Sequence, residues 1–278
     1  MKPLVIAIDY SPAGRNAAEY GVQLAKQLQM PVFLFHSYAL PVLSGESVAV
    51  PVSPEEIEQS QAEAIRDEAG RLEKKYGVKI ATGQSMGFAA EEIGEFAKAH
   101  SAGLIVAGMQ HPNTAGKILG SVTTALIGEA EFPVLVVPEN ATFAAPKNIL
   151  FATDLKTNSE WKELDFLKEL NAKQGVQIHI VNAVSKDHVP DQAESIEGIH
   201  LENKVKEISH DWYFPENDHL PEAIAETAVK VKAEWIAVVH HRLPVMKQVF
   251  HRSSAKKLAF NLTLPMLALP EKHAGILG

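Results

Sequence analysis

A loop between an apolar run and a helical pattern is the stretch of this sequence best suited to binding an anion. Residues 108–121 read Gly-Met-Gln-His-Pro-Asn-Thr-Ala-Gly-Lys-Ile-Leu-Gly-Ser. The apolar run 103–107 precedes them, and a helical pattern over 122–130 follows. Such a loop can present backbone N–H groups and a helix N-terminus to a phosphate. The alternative is a plain strand-to-helix turn, in which the glycines only supply positive φ angles.

Other kinds of site find less support in the sequence. A Walker A loop is excluded because His111 and Ile118 stand where that motif needs a glycine and a hydroxyl residue. The chain contains no cysteine, which excludes disulfides, thiolate metal sites and a catalytic thiol. His240, His241 and His251 lack the spacing and the carboxylate of a metal site, so we interpret them as solvated or core histidines. Since no nucleophile–base pair, general base or pair of metal-binding carboxylates is apparent, we predict no catalytic residues, no metal and no enzymatic activity. The alternative of an enzyme would be a slow ATPase or a nucleotidyl transferase.

The composition is that of a globular protein with an acidic balance. Of the 278 residues, 46% are apolar and 22% charged, and the net charge is −8. This charge disfavours nucleic acids and anionic membranes as partners. The apolar run 4–8 is too short for a signal peptide, and no stretch approaches the roughly 18 apolar residues of a membrane span. We therefore expect a cytoplasmic location.

Strands alternating with helices are predicted along the first half of the chain. Apolar runs predict strands at 4–8, 32–35, 79–83, 104–107 and 134–137, and caps and helical spacing predict helices at 13–29, 53–76, 89–99 and 122–130. The second half shows strands at 149–154, 177–181 and 235–239, a short segment at 211–214, an apolar stretch at 264–270, and helices from Trp161 to Leu170, from His219 and over 253–260. This alternation is typical of βαβ units and a mainly parallel sheet.

The two halves are related by an internal duplication. The run ending in Asp154 repeats the run ending in Asp9 at an offset of 154 − 9 = 145 residues, and the segment 264–270 matches 132–138. The sequence therefore predicts an α/β fold of two tandem doubly wound domains, each with a five-stranded mainly parallel sheet flanked by helices. We place these domains at residues 1–140 and 146–278.

A ligand is expected at the carboxyl edge of the first sheet. Open doubly wound sheets bind ligands where the strand order reverses. If the first and fourth strands are neighbours there, Asp9 and Gly108 face one crevice. Asp9 can accept hydrogen bonds from ribose hydroxyls or a base, Gly108 allows close backbone approach, and the Gly120-Ser121 step opens a helix toward a phosphate. In the alternative interpretation, Asp9 and Ser121 only cap helices.

Residues 2–270 together resemble the universal stress protein family in its tandem two-domain form. The resemblance rests on the strand ending in Asp9 with Ser11 after it, on Gly87, Gly108 and Gly120-Ser121, and on the segment 134–138. It implies ATP or AMP as the ligand, bound by Asp9, Gly108, Gly120 and Ser121 with Met109, Val122 and Thr123 as neighbours. It also implies that the last strand of each domain pairs the domains across a two-fold axis, as an intramolecular pseudo-dimer, and that two chains can form a homodimer.

The glycine loop departs from the family pattern of Gly, two residues, Gly, nine residues, then Gly-Ser or Gly-Thr. His111 replaces the second glycine, and eight residues separate it from Gly120. In the second half, His240, Leu243 and Arg252 occupy the three glycine positions, so we predict that this half does not bind ATP in the family's way. The sequence thus favours a cytoplasmic stress-response regulator with an adenine-nucleotide site in its N-terminal domain. The alternative is a nucleotide-free scaffold that binds protein partners.

Overall fold

The part of the chain that the structure describes forms one sheet of ten strands with helices on both faces. The structure is a computed structural model that describes residues 2–39, 53–109, 121–129, 131–153, 155, 161, 164–182, 191–215, 220–239 and 264–270. The first half contains β1 Leu4–Ala7, α1 Pro12–Leu28, β2 Val32–Tyr38, α2 Pro54–Tyr76, β3 Ile80–Met86, α3 Ala89–Ala99, β4 Leu104–Met109, α4 Ser121–Glu129 and β5 Val134–Pro138. The second half contains β6 Asn148–Thr153, α5 Asp165–Gln174, β7 Gln177–Asn182, α6 Gln192–Val205, β8 His210–Tyr213, α7 Leu220–Val231, β9 Trp235–Val239 and β10 Met266–Leu269.

The strand order is β3-β2-β1-β4-β5-β10-β9-β6-β7-β8. All neighbours within a half are parallel, whereas β5 and β10 pair antiparallel, with Val136 opposite Met266. Each half therefore has the five-stranded doubly wound topology that the sequence predicted. The antiparallel pair is the intramolecular pairing implied for the last strands, and it joins the halves into a single sheet.

Each face of the sheet is covered by its own layer of helices. On one face, α1, α2, α5 and α6 cover the sheet around Leu4, Ile6 and Phe151. On the other face, α3, α4 and α7 cover Val5, Ile105 and Ala152. Strands β4, β5, β6 and β9 are nearly continuous apolar runs because both of their faces are buried.

Local signals set the ends of α2 as predicted. The hydroxyl of Ser53 accepts a hydrogen bond from the Glu56 backbone N–H at 3.1 Å, and the Glu56 carboxylate accepts one from the Ser53 N–H at 2.9 Å. This reciprocal capping satisfies two N–H groups that the first helical turn leaves free. At the other end Gly77 adopts a left-handed conformation with φ of +68°, and its N–H donates to the carbonyl of Glu73.

The main differences between the predicted and the observed elements concern α5, β3 and α6. Helix α5 starts at Asp165 rather than Trp161, because Trp161 has φ of +52° and its buried ring packs edge-to-face on Phe151. Strand β3 extends to Met86 because its polar second half pairs with β2. Helix α6 was not predicted, although its capping box from Asp191 to Glu194 is visible in the sequence. The helix predicted at 253–260 and nearly all of the loop 40–53 lie outside the described residues.

Buried and interhelical hydrogen bonds join the two halves. The indole N–H of Trp235 donates to the Tyr20 hydroxyl at 2.8 Å, and that hydroxyl donates to the Ala144 carbonyl at 3.3 Å. On the same layer, the Lys173 ammonium of α5 donates to the Leu28 carbonyl at the end of α1, at 2.7 Å. Helix α1 therefore packs on both halves. Among the helices in the described ranges, none is long and apolar enough to cross a membrane.

Candidate functional site

The candidate site lies where the strand order of the first half reverses. Strands β1 and β4 are parallel neighbours, with Ile6 opposite Val106. Their chains leave the sheet in opposite directions, toward β2 through α1 and toward β5 through α4. Asp9 therefore follows β1 at the sheet edge where β4 reaches Gly108, as the sequence predicted. A crevice at this position is where doubly wound folds bind their ligands.

The Asp9 carboxylate is oriented by Ser11. Its Oδ1 atom accepts hydrogen bonds from the Ser11 N–H at 3.0 Å and from the Ser11 hydroxyl at 2.6 Å. The Ser11 Oγ atom in turn accepts one from the Gly14 N–H at 3.0 Å, so Ser11, not Asp9, is the N-cap of α1. Asp9 is exposed, and its Oδ2 atom forms no hydrogen bond within the described part of the chain. That oxygen can accept a hydrogen bond from a ligand.

Tyr10 holds the turn after Asp9 in a conformation that is unusual for a residue with a side chain. Its φ of +60° lies in the left-handed region, which costs about 1–3 kcal/mol for such a residue. The Arg15 Nε–H donates to the Tyr10 carbonyl at 3.2 Å, and the His36 ring packs 4.7 Å from the Tyr10 ring. Leu155 has φ of +58° and stands 155 − 10 = 145 residues later, so the turn is repeated at the offset of the duplication.

A charged network connects this turn to α2. Glu68 is buried, and its carboxylate accepts hydrogen bonds from Arg15 at 3.0 Å and from Arg71 at 2.8 and 3.0 Å. The hydrogen bonds from Arg71 lower the pKa of Glu68, and the charges of Arg71 and Arg15 act in the same direction against burial. Glu68 therefore stays ionised and holds Arg15 on the Tyr10 carbonyl.

His36 is a candidate site residue that the sequence analysis missed. Its Nδ1–H donates to the Ile8 carbonyl at 2.7 Å, one residue before Asp9. This bond leaves Nε2 as the ring atom able to meet a ligand. The missed signal was the position of His36 at the carboxyl end of β2, since polar side chains at the carboxyl ends of neighbouring strands share one edge of a parallel sheet.

Gly108 is required by packing, whether or not a ligand binds. A Cβ atom at this position would lie 2.6 Å from the backbone carbonyl of Ala13 and 2.8 Å from the nitrogen of Gly14. A Cβ atom on Gly14 would in turn overlap Oδ1 of Asp9. The end of β4 therefore packs directly on the start of α1, and the start of α1 packs directly on the Asp9 carboxylate. Both contacts are sterically possible because Gly108 and Gly14 have no side chain.

Two other predicted residues are engaged within the protein. Met109 is buried, and its carbonyl accepts a hydrogen bond from the Glu139 N–H at 3.0 Å. Thr123 is also buried, and its hydroxyl donates to the Gly108 carbonyl at 3.1 Å. The Thr123 hydroxyl thus uses its proton to bond the start of α4 to the end of β4, and this side chain stabilises the backbone of the site.

The remaining predicted residues stand at the start of α4. Ser121 is its first residue, which confirms that a helix opens there, and Val122 is exposed. Gly120 and the rest of the loop 110–120, including His111, lie outside the described residues, as does the side chain of Ser121. No group of three or more His, Asp or Glu side chains that could hold a metal ion occurs in the described part of the chain.

These features define a doubly wound α/β protein with an exposed carboxylate, that of Asp9, at the β1/β4 reversal. The family model of the universal stress protein family matches residues 1–138. A universal stress protein of Methanocaldococcus jannaschii is 31% identical over 144 residues, which cover 49% of this chain and 81% of that protein. The chain belongs to the universal stress protein family.

Solved structures show that the similarity of fold extends over both halves. A universal stress protein from Archaeoglobus fulgidus has a TM-score of 0.71 and 16% identity, covering 97% of this chain and 98% of that one. A functionally unknown protein from Pseudomonas aeruginosa PAO1 has a TM-score of 0.51 and 16% identity, covering 98% and 93%. The second half, which lies beyond the family match, therefore has the same kind of fold.

Proposed function

We propose that this chain is a non-catalytic regulator in the stress response that binds an adenine nucleotide, ATP or AMP, at the β1/β4 crevice. The observation that carries the proposal is the Asp9 carboxylate, which is exposed at the strand-order reversal with one oxygen fixed and the other available. A carboxylate held in this way accepts a hydrogen bond from a ribose hydroxyl without first losing much side-chain freedom. The N-terminus of α4, at Ser121, supplies N–H groups for the phosphates.

The same turn is built differently in the second half, which supports one nucleotide site per chain. The N–H of Leu155 donates to the Thr153 hydroxyl at 3.1 Å. In the first half, the left-handed residue Tyr10 is followed by Ser11, whose hydroxyl donates to Asp9, whereas Lys156 follows Leu155 in the sequence. The absence of glycines from the corresponding loop of the second half also supports one nucleotide site per chain, because side chains at those positions obstruct the approach of backbone to phosphate.

Calorimetric titration with ATP, AMP and adenosine tests the proposal. The wild type is expected to bind ATP or AMP at millimolar concentration or below. Asp9→Asn keeps an oxygen for the Ser11 N–H but removes the charge, and we expect affinity to fall about tenfold, the worth of one charge-assisted hydrogen bond. The matched control is Asp67→Asn, which removes the same charge from an exposed position of α2.

Three results would count against the proposal. Failure of the wild type to bind any nucleotide at millimolar concentration would refute it and leave the scaffold interpretation. An equal loss in Asp9→Asn and Asp67→Asn would refute the location of the site. Steady hydrolysis of ATP in the same samples, retained through further purification, would refute the non-catalytic role.

A further inference from the structure

Strand β8 forms one edge of the sheet, and its first residue, His210, is bonded to helix α6. The Nε2 atom of the His210 ring lies 3.1 and 3.2 Å from the two carboxylate oxygens of Glu202. The Nδ1 atom, on the other side of the ring, lies 2.8 Å from the carbonyl oxygen of Ile208. Both ring nitrogens therefore face oxygen atoms that accept hydrogen bonds and have no proton to donate.

The protonated ring is the form of His210 that satisfies both of these oxygens. A neutral imidazole carries a single N–H, so its other nitrogen would present a lone pair to an acceptor. Burial alone lowers the pKa of His210, but its two hydrogen bonds and the charges of Glu202 and Asp211 together raise it above the ordinary value. The residue opposite His210 on β7 is Ile178, so the neighbouring strand brings no opposing charge at this position.

Glu202 divides its carboxylate between the His210 ring and the indole of Trp212. The indole N–H donates to the Oε2 atom at 2.9 Å. The bond from Trp212, followed by the bond and the charge of His210, lowers the pKa of Glu202 against the effect of burial. Trp212 is partly buried, whereas Trp161 and Trp235 are 1% and 0% exposed. Trp212 is therefore the tryptophan whose surroundings depend on this contact.

The first half makes the corresponding connection with a donor that does not titrate. There the Glu73 carboxylate of α2 accepts a hydrogen bond at 2.8 Å from the backbone N–H of Ile80, the first residue of edge strand β3. Glu73 and Glu202 each stand three residues before the last residue of their helix. A backbone amide keeps its proton near neutral pH, whereas an imidazole can lose it there. The two halves therefore share the glutamate and differ in the donor.

We propose that His210 is a pH-sensitive switch that holds the last turn of α6 on the edge of the sheet while its ring is protonated. In that state the ring connects Glu202 to the segment that joins α6 to β8. Loss of the proton places a lone pair against one of the two oxygens, so the last turn of α6 opens more often. The switch contains no residue of the β1/β4 crevice and does not depend on the proposed nucleotide site.

A second histidine, on the opposite face of the same strands, responds to pH in the other direction. The Nε2 atom of His179 lies 3.2 Å from the Asn148 side-chain oxygen, and its Nδ1 atom lies 3.8 Å from the Asp211 carboxylate. Burial lowers the pKa of His179, although the charges of Asp211 and Glu234 oppose this effect. His179 therefore titrates below the ordinary histidine pKa and His210 above it, so the two events are separable.

Tryptophan emission between about pH 6 and about pH 9 tests the switch in the chain without added ligand. The pKa of His210 is raised, so the contact is at full strength below the ordinary histidine pKa of about 6.5 and is lost as the pH rises through the raised value. We expect one step in Trp212 emission at that raised value. His210→Gln should abolish the step, because a glutamine amide can donate to Glu202 but does not titrate.

Two further variants separate the switch from a general effect of pH. Glu202→Gln removes the negative charge beside the ring and should lower the midpoint of the step by about one pH unit. His200→Gln is the matched control, because it removes a histidine from an exposed position of the same helix, where the ring faces Glu197. The control should keep both the step and its midpoint.

Amide hydrogen exchange gives a second measurement that does not use Trp212. Rates are divided by the intrinsic exchange rate at each pH. Protection of the last turn of α6 should fall about tenfold across the midpoint, the worth of one charge-assisted hydrogen bond. The last turn of α2 is the internal control and should keep its protection, since the donor to Glu73 is a backbone amide.

Several outcomes would overturn the proposal. One is the absence of a step in wild-type emission above the ordinary histidine pKa. Others are a step that persists in His210→Gln, or a step that is lost equally in His200→Gln. A parallel loss of protection in α2 and α6 would indicate general loosening at high pH. If circular dichroism shows that His210→Gln does not fold, an unchanged midpoint in Glu202→Gln refutes the role of the pair.

Discussion

Replacing Gly108 by alanine is expected to destabilise the folded chain in the absence of any ligand. The added Cβ atom would lie 2.6 Å from the backbone of Ala13, where ordinary contacts begin at 3.4 Å. The atoms that the Cβ atom would meet belong to the backbone of α1, so they cannot rotate away as the end of a flexible side chain could. The end of β4 or the start of α1 must therefore move by up to about 0.8 Å, and forced overpacking of this kind costs about 1–3 kcal/mol.

Urea unfolding followed by circular dichroism measures the effect, and Gly94→Ala is the matched control. Gly94 stands inside α3, and a Cβ atom there meets nothing within 4 Å. The same substitution at Gly94 should raise stability by about 0.5–1 kcal/mol, because alanine loses less backbone entropy than glycine in a helix. The two substitutions should therefore shift the midpoint in opposite directions.

Unfolding of Gly108→Ala at the same urea concentration as the wild type would refute the predicted clash with α1. A shift of both alanine variants in the same direction by the same amount would refute it as well. If the expected loss is found, Gly108 variants are unsuitable as tests of nucleotide binding. Any loss of affinity would then include displacement of α1, whose first turn is bonded through Ser11 to Asp9.

Three further substitutions test the interior contacts. Tyr20→Phe should lower the unfolding free energy by about 1–3 kcal/mol, since it leaves the buried indole N–H of Trp235 unpaired; combining it with Trp235→Phe should cost less than the sum of the single changes. Glu68→Gln should lower the urea midpoint at neutral pH. The hydrogen bonds from Arg71 hold the pKa of Glu68 below its ordinary value in the folded chain. The stabilisation from ionised Glu68 is therefore present above the ordinary glutamate pKa and lost as the pH falls through the lowered one, so the difference from wild type should shrink on acidification. Ser11→Ala removes the N-cap of α1 and should lower the free energy of unfolding by about 0.5–2 kcal/mol in the same assay. An unchanged free energy of unfolding would contradict the assignment of Ser11 as the cap.

Elements with strong local signals were predicted closely. Helix α2 begins after Ser53 and ends before Gly77 because a capping box and a left-handed glycine act within one turn of each end. Strand β9 matched the predicted range 235–239 because a short, continuous apolar run is typical of a buried parallel strand. The duplication was also visible in the sequence, and the left-handed residues Tyr10 and Leu155 repeat it in the backbone.

Elements whose structure depends on distant partners were predicted less well. The residues 84–86 have little strand character of their own and belong to β3 because they pair with 36–38 of β2. Trp161 matched the helical spacing of Leu164 and Leu167, but burial of its ring on Phe151 places it in a left-handed turn before the helix. Periodicity records which side chains are apolar and does not tell where an isolated bulky ring is buried.

For the candidate site, the sequence by itself determined that Asp9 and Gly108 stand at the carboxyl ends of two buried strands, because an apolar run precedes each of them. The sheet decided that these two strands are neighbours. The tertiary structure alone decided how these residues are used. The backbone of α1 leaves no room for a side chain at Gly108. The Thr123 hydroxyl donates to the Gly108 carbonyl, and the Ser11 hydroxyl donates to the Asp9 carboxylate and orients it. These roles follow from atoms brought within about 3 Å by packing of α1 and α4 on the sheet. Residue types and spacing along the chain do not encode such distances.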